Sequence, residues 1–323
     1  MITKEFIEKN LENCLSDTSF LDLPNRKKGK VRDTFDLGDK LLLVTTDRQS
    51  AFDRVLASIP FKGQVLNQVS SFWFDNTKDI VENAVISVPD PNVTVAKKCK
   101  VFPVEFVVRG YLTGSTDTSA WTLYSNGSRN ICGNLLPDGM QKNQKFEKPI
   151  LTPTTKSEKH DESISAKDIV SRGIIEKGTW QKLERIVFGL FKRGTVIAEQ
   201  NGLILVDTKY ELGMDDQGTV LLIDEIHTPD SSRYWLKDTY QQKIKDKQEP
   251  DNIDKEFLRL WFRDHCDPYK DEVLPSAPKE LVVELSSRYI RLYEMITGMD
   301  FEVDMSLPIK ERLTKNLAKY LNT

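Results

Sequence analysis

Two apolar runs that each lead into charged residues constrain this chain most: GLILVDTKYELG (202–213) and GTVLLIDEIH (218–227), parted by the turn-forming segment Met214-Asp215-Asp216-Gln217. Such runs across a polar turn read as a β-hairpin. Side chains alternate across a strand, so Asp207, Lys209 and Glu211 share one face, and Thr208, Tyr210 and Leu212 the other. Three charges following an apolar run are costly to bury unless they meet a ligand or metal. The return strand carries Asp224 and Glu225, and pairing puts one of them beside Glu211. The register stays open, because a slip of one residue exchanges the two acids. Carboxylates without His or Cys partners suit a hard cation such as Mg²⁺ working with substrate phosphates. A solvated face with a salt bridge through Lys209 fits the same residues, so this segment alone leaves both readings open.

The rest of the chain narrows the class. Its 323 residues suggest two domains or one large two-lobed one. With 46 basic against 49 acidic residues, a general nucleic-acid binder is not expected, although local anion pockets are. Apolar stretches such as Leu41–Val44 and Leu203–Val206 fall far short of the roughly 20 residues of a membrane helix. The opening MITKEFIEKN has no apolar core of a signal peptide. Cys14, Cys99, Cys132 and Cys266 form no CxxC pair, so neither zinc nor a disulfide framework is expected, and the cytoplasm is the simplest setting.

Strands are expected at Lys40–Asp47 and Val104–Tyr111, and a long surface connection from Leu136 to Thr154. Helical spacing runs through Trp180, Leu183, Val187, Leu190 and Phe191, with a stop at Asn201-Gly202. It recurs through Leu281, Leu285, Tyr289, Leu292 and Ile296, ending at Gly298. Strands leading and helices following give an α+β architecture with a cleft between two lobes.

Several loops have the composition of anion sites. RKKGKVRDTF holds Gly29, Lys30 and Arg32, where backbone N–H groups can approach a polyphosphate. TTDRQSAFD places Asp47 and Ser50 directly after a strand, and VVRGYLTGS combines Arg109, Gly114 and Ser115. TPTTKSEKHDES supplies Lys156, His160 and Asp161, and TPDSSRYW sets Arg233 beside two aromatics, a guanidinium suited to phosphate or carboxylate. Taken singly, each also reads as ordinary solvated surface. No Ser/His/Asp or Cys/His nucleophile pattern stands out, which counts against a hydrolase.

In order along the chain, GKVRD, TDRQSAFD, KGQVLNQ, VVRGYLTGS, TPTTKSEKHDE, DTKYELG, DEIHTPDSSRYW and DKEFLR closely resemble the SAICAR synthetase family of purine biosynthesis, in its longer form, from about Lys27 to Trp261. The resemblance implies an ATP-dependent ligase. It would join the carboxylate of a carboxyaminoimidazole ribonucleotide (CAIR) to the amino group of L-aspartate, giving SAICAR, ADP and phosphate through an acyl phosphate. It implies a small antiparallel-sheet lobe like that of protein kinases over residues 1–105. A larger α/β lobe of ATP-grasp type would take residues 106–323, with ATP in the cleft. Carried over, Gly29, Lys30 and Arg32 cover the ATP phosphates, and Val101, Phe102 and Glu105 form the hinge beside adenine. Glu211 and Asp224 become the Mg²⁺ acids, with Lys209 and Asp207 beside them. Arg109, Ser115 and Arg233 hold the ribonucleotide 5′-phosphate, and Asp47 and Ser50 lie near the imidazole nucleotide. Lys156 and Asp161 belong to the central loop, and Lys255 and Arg259 lie near substrate carboxylates. The implied partners are CAIR, L-aspartate and ATP, with no nucleic acid, membrane or obligate protein partner. The run before Asp254, Pro250-Asp251-Asn252-Ile253, departs from the Pro-Ser element of many members.

Overall fold

The computed structural model describes residues 2–52, 54–116, 118–156, 162–253 and 256–321. It is a mixed α/β protein in which every pair of strands among the described residues is antiparallel. A first sheet has the order Arg26–Lys28, Arg32–Asp36, Lys40–Thr45, Val93–Lys97, Val85–Asp90. Period-2 alternation turns Phe35, Leu42, Val44, Val93 and Val95 to one buried face, where Leu15, Leu21, Leu313 and Leu317 cover them. The chain therefore returns to its first sheet through the helix Ile309–Asn316.

A second sheet has the order Glu162–Ser163, Thr154–Thr155, Val104–Leu112, Leu203–Tyr210, Ser232–Leu236, with Gln144–Leu151 also paired to Val104–Leu112. Its core face takes the helix Lys177–Gln200, whose Trp180, Leu183, Val187, Leu190 and Phe191 are buried as their spacing predicts. The side chain of Glu176 caps that helix at Thr179 N, and Asn201 ends it. The helix Lys279–Thr297 stops at Gly298, φ +70°, the left-handed position that favours glycine. It packs against Lys62–Asn76 in the same large core.

Two expectations are corrected. The segment 136–154 is no mere connection, for Gln144–Leu151 is a strand. Its polar composition reflects an edge position, with Phe146, Ile150 and Leu151 inward and lysines outward, and Pro149 falls where the register shifts. The hairpin is also shorter than the two runs suggest. Only Leu212–Met214 pairs with Val220–Leu222, while Leu203–Tyr210 runs between Val104–Leu112 and Ser232–Leu236. Glu211 marks the break, and both edges of the preceding strand are paired with other strands.

The return helix is locked by charge. Arg312 donates to Asp90 from Nε at 3.0 Å and to the Asn92 side chain from Nη2 at 2.6 Å, with both ionic groups buried. Arg312→Ala strands the Asp90 carboxylate, and urea unfolding is expected to show a loss of about 3–5 kcal/mol.

Candidate active site

The strand Leu203–Tyr210 presents charge from one face, and its neighbours answer it. Lys209 Nζ is 3.2 Å from Asp224 Oδ2, 3.6 Å from Glu105 Oε1 and paired with Glu211. Glu211 also pairs with Lys156, and Asp224 with Arg32, whose guanidinium lies 3.5 Å from Glu225. Burial opposes the Lys209 ammonium, but Asp224, Glu211 and Glu105 hold its pKa well above the usual lysine value. Burial likewise opposes the Asp224 carboxylate, and Arg32 and Lys209 overcome it, holding the acid well below the usual range. Both groups are therefore charged at neutral pH.

Two residues back on the same face, Asp207 sits between arginines from the flanking strands. Arg109 and Arg233 are its register partners, at 3.1 Å and 3.3 Å. Burial and the neighbouring Arg233 lower the pKa of Arg109, against the pull of Asp207. Two guanidiniums sharing one carboxylate leave surplus positive charge, suited to an anion. Gly114, φ +116°, keeps the approach open, since a Cβ there would lie 2.3 Å from Ser119 Cβ and 3.3 Å from Arg233 Nη1. Ser115 donates to Glu256 at 2.6 Å, and Arg259 pairs with the other oxygen of Glu256 at 2.9 Å. Arg233, Ser115 and Glu256 line a cavity of about 250 Å³. A neighbouring cavity of about 390 Å³ takes in Ser115, Arg259, Phe52 and Tyr269.

The basic loop reaches the first cluster through Arg32. Gly29 N donates to Arg32 O at 2.9 Å, and a Cβ on Gly29 would lie 2.3 Å from that oxygen, so the tight turn requires glycine. Lys30 is exposed at its tip. Val101 pairs in register with Gly213, and Phe102 N donates to Leu212 O at 3.0 Å, which lays the 101–102 segment alongside Glu211.

The sequence candidates thus fall into two groups: Arg32, Glu105, Lys156, Lys209, Glu211 and Asp224 in one, Asp207, Arg109, Ser115, Arg233 and Arg259 in the other. Glu105 carries its carboxylate to Lys209, a contact the hinge reading did not contain. Asp47 is a correction. It is fully buried, and its carboxylate accepts from Leu15 N at 2.6 Å and Gly63 N at 2.8 Å, so it brackets two chain segments and faces no cleft. Ser50 lies two residues before Phe52 and its hydroxyl joins neither cluster. His160, Asp161 and Lys255 lie outside the described residues.

Functional-site partners that residue types alone did not single out lie inside the same motifs. Thr152 accepts from Arg109 Nε at 2.9 Å, and Glu256 holds Ser115 and Arg259. Arg48 donates to the carbonyls of Ser16, Gly29 and Lys30 and pairs with Asp33, bracing the basic loop from below. Lys62, fully buried, pairs with Asp230 at 2.6 Å.

Comparison with known proteins places the chain in a family. The family model described as SAICAR synthetase matches residues 25–276. The chain belongs to the SAICAR synthetase family. It is accordingly a ligase of purine biosynthesis. The phosphoribosylaminoimidazole-succinocarboxamide synthase of Legionella pneumophila strain Paris is 59% identical over 309 residues, 95% of this chain and 99% of the relative. The chloroplastic synthase of Arabidopsis thaliana is 56% identical over 98% of this chain and 78% of its own length. Among solved structures, the SAICAR synthase of Saccharomyces cerevisiae complexed with SAICAR superposes with a TM-score of 0.77 at 30% identity, covering 89% of this chain and 99% of that one. A SAICAR synthetase in complex with ADP gives 0.65 at 25% identity, covering 86% and 100%.

The burial of Asp47 makes the stability of the fold depend on pH. Burial pushes its carboxyl from 3.8 up to about 6, against the two backbone N–H donors. A raised acid stabilises the fold fully below the unfolded pKa, and that contribution is lost as pH rises through the folded one. The gap from 3.8 to about 6, at 1.36 kcal/mol per pH unit, is roughly 3 kcal/mol. Denaturant unfolding from pH 4 to 7.5 is therefore expected to show the wild type losing about that much relative to Asp47→Asn.

Proposed function

We propose that this chain joins the carboxylate of CAIR to the amino group of L-aspartate at the expense of ATP, releasing SAICAR, ADP and phosphate. The observation that carries the reading is the pairing of two opposite charge clusters on one strand face, with Asp207 and Lys209 roughly 7 Å apart along it. The relatives described with SAICAR and with ADP support the same product and nucleotide.

A carboxylate resists attack by an amine because it is resonance-stabilised and negatively charged. Transfer of the γ-phosphoryl group to the CAIR carboxylate gives an acyl phosphate and ADP. The aspartate nitrogen then attacks the acyl carbon, phosphate departs with the C–O bonding pair, and the nitrogen loses a proton. No enzyme nucleophile is required; alignment and charge neutralisation do the work.

In this reading Gly29, Lys30 and Arg32 close over the triphosphate, with Val101, Phe102 and Glu105 beside the base. Lys209 and Lys156 neutralise the transferred phosphoryl oxygens. Arg109, Ser115 and Arg233 hold the ribonucleotide 5′-phosphate, and Asp207 keeps the two arginines parallel. Arg259, with Lys255, meets substrate carboxylates, and Asp161 completes the central loop. Ser50 stays a candidate through its neighbour Phe52, whereas Asp47 acts from below by fixing Gly63. Among the described residues no group of three or more His, Cys, Asp or Glu side chains could hold a metal ion by itself. Glu211 and Asp224 nevertheless fit Mg²⁺ shared with a nucleotide, since two carboxylates converge on one cationic point with no nitrogen or sulfur ligand between them. Magnesium there supplies positive charge to the phosphates.

We further propose that residues 1–105, joined by the returning helix 309–316, form the nucleotide-covering lobe and residues from 106 onward the substrate lobe. The four free cysteines support a reducing, cytoplasmic setting. No helix among the described residues is long and apolar enough to cross a membrane.

The decisive experiment omits each of MgATP, CAIR and aspartate in turn. ADP and a succinocarboxamide product are expected only when all three are present, and sustained ADP release without aspartate would overturn the ligase reading in favour of a kinase. Arg233→Ala is expected to cut kcat/KM for CAIR about a hundredfold while changing KM for ATP less than threefold. Equal losses for both substrates would contradict the phosphate role.

A further inference from the structure

The segment Asp224–Ser232 begins with the acids of the first cluster and leads directly into Arg233 of the second, yet its middle is buried. His227 has no exposed surface and a left-handed backbone, φ +51°. Its Nε2 lies 2.6 Å from the Tyr210 hydroxyl, and Tyr210 stands in the chain between Lys209 and Glu211. Its ring meets Trp73 edge-on, centroids 4.6 Å apart. The Tyr234 hydroxyl donates to its carbonyl at 2.7 Å, and Nδ1 has no hydrogen-bond partner. On the remaining side is Gly194 of the long helix, where a Cβ would lie 2.4 Å from His227 Cε1, 2.7 Å from Leu205 Cδ2 and 2.9 Å from His227 Nδ1. A residue in the middle of a helix that must lack a side chain, opposite a ring that fills the space, is a socket. Burial holds the imidazole pKa down at about 3, so the ring is neutral whenever the enzyme works.

We infer that His227 is a positioning residue: seated in the socket left by Gly194 and closed by Trp73 and Tyr210, its ring holds the left-handed turn that sets Asp224 and Glu225 against Lys209 and Arg32. The inference rests on the reading of those acids as the MgATP side of the site. Removing the ring frees the turn, and adding a methyl at residue 194 expels the ring, so the two changes share the ring contact, to which Gly194→Ala adds a separate one with Leu205 Cδ2 at 2.7 Å. Asparagine tolerates left-handed backbone, which makes His227→Asn a test of the ring and not of the turn's φ.

The experiment is a double-mutant cycle on the full chain with Gly194→Ala, His227→Asn and the pair. Two readouts are used: hydrogen exchange of amides 224–232 in the enzyme without ligands, and KM for MgATP against KM for aspartate. A mere loss of folded protein lowers kcat and leaves both KM values unchanged. Each single variant is expected to speed exchange in 224–232 about tenfold. Each should also raise KM for MgATP about tenfold, with KM for aspartate within twofold. In the His227→Asn background, Gly194→Ala should add less than threefold, the part carried by its contact with Leu205. The inference is overturned if Gly194→Ala has its full effect in that background, or if His227→Asn leaves both the exchange and KM for MgATP unchanged. Should Gly194→Ala not fold, His227→Asn alone still decides by the same two readouts. If the wild type forms no product from the three substrates, the proposed reaction fails, while the exchange measurement still judges His227.

Discussion

The paired charges on the strand Leu203–Tyr210 are the constraint on which the site depends. The apolar residues of this strand pack into the core, and its middle position buries Asp207 and leaves Lys209 only partly exposed. An isolated charge there would be prohibitive, so each must be answered by neighbours. Asp207 is answered by one arginine from each adjacent strand, and Lys209 by acids from three separate segments. The outcome is two clusters of opposite character within two residues of one another. Neither cluster is exhausted by its internal pairing, because Lys209 and Arg233 keep part of their surface toward the cleft.

Behind the residues that face the cleft lies a second set that faces the core. Asp47 joins the chain at Leu15 to the start of the helix at Gly63. Lys62, next to that glycine, holds Asp230, which also accepts from the Tyr289 hydroxyl at 2.7 Å. Arg48 spans the carbonyls beneath the basic loop. These buried ionic brackets tie four motif segments together at fixed spacing. Buried polar groups are costly unless satisfied, so such a network permits one arrangement of the loops and penalises others. Preorganisation of that kind is what aligning three substrates demands.

Much of this was legible in the residues. The long helices followed from the spacing of Trp180 to Phe191 and Leu281 to Ile296, with glycine or asparagine stops, because helical periodicity is local. The strands at 40–45 and 104–112 followed from their apolar runs. The strand at 144–151 did not, since an edge strand with lysines outward has the composition of a loop. The role of Asp47 was equally hidden: a polar residue after a strand looks the same whether it turns to solvent or to two backbone amides.

The sequence by itself determined which side chains share a strand face, where the helices stop and which motifs occur in order, because these depend on covalent spacing and local backbone preference. It also carried the family, since eight short motifs in one order leave little room for another. Only the tertiary structure decided that Glu105 answers Lys209, that Arg109 and Arg233 share Asp207, and that His227 fills the place of an absent side chain at Gly194. Those partners lie tens to more than a hundred residues away from each other or on different elements. Strand order, register and the depth of burial, none of which is a local property, determine which charge meets which.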